Sequence, residues 1–187
     1  MTSLGTIRSK GIPVSPKRIC DIRLIVTQLR NMFGISNEVF CDIVKIIEYL
    51  GSDYLPDYGY EIIPDNDPLL KGKFAETFPQ EKIIRIKESV YNKACEGDGQ
   101  SRFTIAHELG HLCLKHEADI SFARQMPPGP LVPWRDAEWQ ADVFAAEFLM
   151  PYEMVKGMST QEICNSCGVS RSAAETRRQK LKKPNWQ

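Results

Sequence analysis

No apolar run in this chain approaches the roughly 20 residues that cross a bilayer, so nothing in it reads as a membrane span. Residues 1–16 are polar, rich in Ser, Gly and Pro, and lack the apolar segment of a secretory signal. A charge excess of either sign is missing too: 24 Lys+Arg stand against 24 Asp+Glu. That balance excludes a whole-chain field for nucleic acid or an anionic membrane, so any basic surface must be local. Histidine is scarce, with only three in 187 residues, and there is no internal repeat. Six cysteines are an even count, but a chain of this size builds its own core, and no export signal accompanies them. Reduced thiols in a cytoplasmic protein are the expectation. Cys164-x-x-Cys167 has no second pair to complete a four-ligand structural zinc site, and reads as two small thiols at helix-packing positions.

What is present is an ordinary globular composition, 42% hydrophobic and 26% charged. The length suits one compact domain with a modest appendage. Helical periodicity runs from Pro16 to Leu50 in two stretches, with Gly34 between them and Gly51 after the second. Tyr60–Ile63, Lys73–Phe78 and Lys82–Lys87 are candidate strands, the last two joined by a hairpin turn at Pro79-Gln80-Glu81. A helix begins near Ser101 and runs to about His116. The Pro-rich run Met126–Trp134 excludes regular structure and reads as a lid, a substrate wall or a connector. Asp136 is a natural N-cap for a second long helix that Pro151 stops. In the tail, Ser159 with Glu162 forms a capping box, Gly168 marks a turn and Ser170 caps a further helix. That tail carries six Lys/Arg against two Glu.

His107-Glu108-Leu109-Gly110-His111 carries the chemistry. Two imidazoles four residues apart project from one helix face, one turn apart, where one metal ion can bridge them. Glu108 sits about 100° round the helix, positioned to act as general base on an activated water. The plain alternative is an amphipathic helix with two exposed histidines. Against it stands Gly110, which costs a helix about 1 kcal/mol relative to Ala and implies that a neighbour packs closely there.

A catalytic zinc takes three protein ligands and keeps one position open. On a continuing helix the third histidine, His116, follows His111 by five residues and points from the wrong face. A carboxylate from the second helix fits better. Glu138 and Asp142 share a face, so Glu138 can ligate while Asp142 accepts a hydrogen bond from the far nitrogen of a ligand histidine. Glu147, further along and rotated away, is the weaker alternative. Ala141, Phe144, Ala145, Phe148 and Leu149 would pack this helix on the motif helix.

The run Arg102–His111 together with the block from Glu138 to Pro151 resembles the ImmA/IrrE family of metallopeptidases, over roughly Tyr60 to Lys183. The resemblance implies that His107 and His111 are metal ligands, Glu108 the catalytic base and Glu138 the third ligand. The family more often has Asn where this chain has Asp142, a swap that keeps the acceptor and adds negative charge. Members commonly cleave helix-turn-helix repressors or act as regulators in mobile elements, stress responses and toxin–antitoxin pairs.

The expectation is therefore an α+β fold. It has N-terminal helices, a small, mostly antiparallel three-stranded sheet, the motif helix packed on a ligand-bearing helix, and a short helical pair at the C-terminus. Residues 1–16 form a flexible leader, 17–158 a metallopeptidase domain and 159–187 a basic helix-turn-helix-like tail. The cofactor is Zn2+, with Mn2+ suiting the same donors. The function is gluzincin-like, metal-assisted cleavage of a protein substrate, a transcriptional regulator, with Lys82–Lys87 available to pair with an extended peptide. Tyr91, Arg102, His116 and Tyr152 are candidates for oxyanion or substrate contacts. A second reading is a non-catalytic, metal-containing regulator that binds a partner, or DNA through its tail. There, however, Arg177 occupies a position that a DNA-reading helix pair fills with an apolar residue.

Overall fold

The computed structural model describes residues 11–52, 55–116 and 132–183. Most of the Pro-rich run and the first ten residues of the expected leader lie outside them. Eight α-helices and a three-stranded sheet are present among the described residues. In chain order these are α1 (Ile19–Met32), α2 (Ile43–Glu48), β1 (Gly59–Ile63), β2 (Ala75–Phe78), β3 (Ile83–Lys87), α3 (Glu88–Cys95), α4 (Gly99–Cys113), α5 (Ala137–Leu149), α6 (Tyr152–Val155), α7 (Thr160–Cys167) and α8 (Arg171–Leu181). The expected α+β architecture is what forms.

The sheet has the order β1-β3-β2. β2 and β3 make the expected hairpin, with Lys82 in the left-handed region (φ 55) at its turn. β1 runs parallel to β3, so the sheet is mixed, with one pairing of each kind. The parallel pairing arises because the chain crosses from β1 through a short 3-10 turn and β2 before returning as β3. Ile84 and Ile86 are fully buried beneath the helices, while Arg85 on the other face bonds Glu61 and Glu81.

Helix α4 begins where Asp98 accepts the backbone N–H of Ser101 at 2.7 Å. It lies between the sheet and α5, and α1 covers α5 from another side. The α4–α5 contact is close because Gly110 has no side chain: a Cβ there would meet Phe144 at 3.0–3.2 Å. Phe144 is itself buried and stacked on Phe148. The conformationally costly glycine thus buys helix–helix proximity, and the expected packing of the two long helices holds.

Two expectations change. Helix α3 occupies a stretch with no assigned element. Residues 11–16, placed in a flexible leader, are tied down: Val14 is buried, its N–H donates to Arg135 O at 2.8 Å, and Pro13 bridges to Asp136. One buried valine and a few backbone bonds suffice to hold so short a segment.

At the C-terminus, Ser159 and Glu162 form the expected capping box, Gly168 adopts φ 61, and Ser170 caps α8. Arg177 does take the core position of this helix pair. Its charge is met by Glu147 of α5 at 2.9 Å, and its Nε donates to Met150 O at 3.0 Å. Arg23 of α1 reaches the same carboxylate at 3.1 Å. All six cysteines are free, and Cys167 is buried.

Candidate metal centre

One turn of α4 and the first turns of α5 bring the site together. Asp136 caps α5 by accepting the N–H of Glu138 at 3.1 Å, which sets Glu138 at the helix start, facing α4. The Nε2 atoms of His107 and His111 stand 3.1 Å apart. Glu138 Oε2 lies 3.4 Å from His107 Nε2, and its Oε1 lies 3.6 Å from His111 Nε2. Donors about 2.0–2.1 Å from one tetrahedral ion are roughly 3.3 Å from each other, so this triad fits a single divalent ion. Histidine side chains here are mostly buried, whereas Glu138 remains 53% exposed, leaving one side of the triad open to solvent.

The electrostatics point the same way. Burial works against a charged His107, but hydrogen bonds to Asp142 and Glu138 outweigh it and push its pKa up. His111 is pushed down by burial and by the charge on His107. Glu138 is lowered chiefly by its hydrogen bond to His107. The two facing nitrogens and the carboxylate thus favour positive charge between them, the charge a divalent ion would bring.

Supporting contacts surround the triad. His107 Nδ1–H donates to Asp142 Oδ1 at 3.0 Å. Glu108 points into the same cleft of about 410 Å³ that His111, His116 and Glu138 line. Its Oε2 accepts from the backbone N–H of Thr77 at 2.7 Å, and the Thr77 hydroxyl lies 2.8 Å from that oxygen. Thr77 had no signal in the sequence. It sits in a strand 31 residues away and meets Glu108 only because α4 packs on β2.

The other sequence candidates fall elsewhere. Arg102 is buried, donating to the carbonyls of Cys41 and Cys167 under the Phe40 ring. Tyr91 donates to Glu48, and Tyr152 lies beneath Arg23. None of these three reaches the triad. His116 does come to it, but buried, with its Nδ1 2.9 Å from His111 Nδ1. Glu147, the alternative ligand, is engaged by Arg177 and Arg23. β3 is corrected as a peptide-pairing strand, because β1 and β2 occupy both its edges. The strand edge beside the triad belongs to β2, whose Ala75, Glu76 and Thr77 line the cleft.

Against known proteins, the profile of the peptidase M78 family, described as the IrrE N-terminal-like domain, matches residues 71–177. The chain belongs to this family. The match spans more than half the sequence and includes β2, the motif helix and the helix that carries Glu138, so the resemblance seen in the motifs is borne out. Comparison with curated proteins gives no match. Among solved structures, a Mycobacterium tuberculosis transcriptional regulator is similar at a TM-score of 0.58 with 18% identity, over 89% of this chain and 48% of that one. This chain thus spans about half the length of that regulator, and at such identity the likeness speaks for the fold.

Proposed function

We propose that this M78 family member is a zinc-dependent endopeptidase of the cytoplasm. Its substrate would be a regulatory protein, a helix-turn-helix repressor or antitoxin-like partner. The observation that carries the reading is the open-sided triad of His107, His111 and Glu138 with Glu108 beside it in one cleft. When bound, the ion supplies Lewis acidity, bringing water toward a neutral pKa and polarising a carbonyl. Glu108 takes the proton of the attacking water and returns it to the leaving amine. Thr77 holds Oε2 and so leaves Oε1 for that water. The edge of β2 offers backbone groups to an extended peptide. Manganese suits the same donors.

Elemental analysis of the purified protein tests the centre. About one zinc per chain is expected in the wild type and none in Glu138→Ala, since two histidines alone leave the ion without its third anchor. Wild-type protein that takes up no zinc would overturn the proposal. Sequencing of new protein N-termini in cells producing wild type or Glu108→Gln tests the substrate: termini found only with wild type should fall within a DNA-binding regulator.

Thr77→Val provides a finer check. The hydroxyl has one hydrogen and two acceptors at 2.8 Å, Oε2 and the backbone carbonyl of Glu108. Given to the carboxylate, it makes a bond of the kind that stabilises by about 1.5–3 kcal/mol. Its removal is expected to lower kcat about tenfold with KM and zinc content unchanged. A change in KM alone would remove Thr77 from the role of holding the base.

A second reading keeps the metal and drops catalysis. It rests on α8, where Arg171 and Arg178, followed by Lys182 and Lys183, are exposed and could meet DNA. Here Glu108→Gln would be silent in the cell, and binding would depend on those four cations.

A further inference from the structure

We propose that His116 and Gln140 are positioning residues that decide which nitrogen of His111 is bare, and so present its Nε2 lone pair to the ion. This rests on reading His107, His111 and Glu138 as ligands. The two ligand histidines are oriented by different partners. His107 Nδ1 meets a carboxylate, which only accepts, so its Nδ1 carries the hydrogen and its Nε2 is free to ligate. His111 Nδ1 meets another imidazole nitrogen at 2.9 Å, and either ring of such a pair can be the donor. Left to itself, that contact would let the hydrogen of His111 sit on either nitrogen.

Gln140 removes the ambiguity. Its amide nitrogen lies 2.8 Å from Ser15 O and 2.8 Å from Trp134 O, two carbonyls that can only accept. Both amide hydrogens are therefore committed, and Oε1 is the atom facing His116 Nε2 at 2.9 Å. An amide oxygen cannot donate, so His116 Nε2 carries the hydrogen. In the neutral ring His116 Nδ1 is then an acceptor. His111 Nδ1 must donate to it, which leaves His111 Nε2 bare and directed at the triad. The chain Gln140–His116–His111 does for one ligand what Asp142 does for the other.

The backbone bears this out. Lys115 adopts φ 54, in the left-handed region that non-glycine residues rarely enter. That conformation ends the run of α4 and turns His116 beneath the motif. Gln140 has no exposed surface and His116 almost none, so the hydrogen bond between them is shielded from water.

Long-range 1H–15N correlation spectra of the full chain, metal-free and zinc-loaded, read the tautomers directly. With three histidines in the sequence, His107→Ala and His116→Phe assign the rings. The expected result is hydrogen on Nδ1 of His111 and on Nε2 of His116 in the wild type. Hydrogen on Nε2 of His111 in the metal-free protein would overturn the proposal. Zinc affinity, measured by competition with a chromophoric chelator, should weaken 10–100-fold in His116→Phe and Gln140→Met. An unchanged affinity in both variants, with near-UV dichroism intact, would also overturn it. Should either variant fail to fold, the wild-type spectrum decides alone. Wild type that shows these tautomers yet binds no zinc refutes the ligand reading and leaves the relay standing. Zinc-binding wild type with the reverse tautomer refutes the relay and leaves the ligands.

Discussion

Replacing Glu108 with Gln is expected to lower kcat for peptide cleavage by about 10²–10⁴-fold while zinc content stays at the wild-type value. The geometry explains both halves. Glu108 is absent from the donor triad, so the ion loses no ligand. The amide oxygen of Gln can still accept the Thr77 N–H that now falls on Oε2, so α4 and β2 keep their contact. What the amide cannot do is take a proton from water. Single-turnover cleavage of the regulator found by N-terminal sequencing, beside elemental analysis of the same preparation, checks the pair of outcomes. Retained cleavage would remove Glu108 as the base, and silence of the variant in the cell would favour a regulator that works by binding.

Glu147→Ala is expected to destabilise the fold by about 3–5 kcal/mol, a large share of the 5–15 kcal/mol typical of a domain. The carboxylate is buried and shared by Arg177 and Arg23, which tie α8 and α1 to α5. Deleting it takes from the buried Arg177 guanidinium the carboxylate that faces it at 2.9 Å. Removing both charges is a different experiment: Glu147→Leu with Arg177→Met should recover most of the loss, because an apolar pair of similar volume avoids desolvating two ions. Urea unfolding of the two variants measures the difference. A Glu147→Ala midpoint close to wild type would show that the buried pair carries little of the stability. Zinc bound by folded Glu147→Ala should match wild type, in contrast to Glu138→Ala.

The candidate centre is legible in the sequence wherever its logic is local. Spacing along one helix puts His107 and His111 on one face, and the same rule joins Glu138 to Asp142. Capping chemistry marks the start of α5 at Asp136 and of α8 at Ser170, and the cost of Gly110 announces the close approach of Phe144. Contacts made between elements left no such trace. Thr77 meets Glu108 from a strand. His116 was placed on the wrong face by assuming a continuing helix, and the left-handed Lys115 undoes that assumption. Helix α3 buries only Val90 and Ala94 and has no side-chain cap, so it offers little periodicity to detect. The β3 pairing was misjudged because alternation of Ile84 and Ile86 with Arg85 reports which face is wet, and says nothing of whether an edge is free. One signal was readable but set aside: Glu147 and Arg177 are opposite charges at two core-facing positions, and each accounts for the other.

The pinning of residues 11–16 has a mechanical consequence. Ser15 supplies one of the two carbonyls that hold the Gln140 amide, and Val14 and Lys17 hold that stretch to Arg135 and Trp134 through backbone bonds. Lifting the segment away would release Gln140 to rotate and slacken the ring of His111. Coupling free energies are reciprocal, so an ion seated on His111 must in turn grip the segment more firmly. A tug on this segment would thereby be transmitted, through one glutamine, to the affinity of the proposed site, formed more than ninety residues later in the sequence.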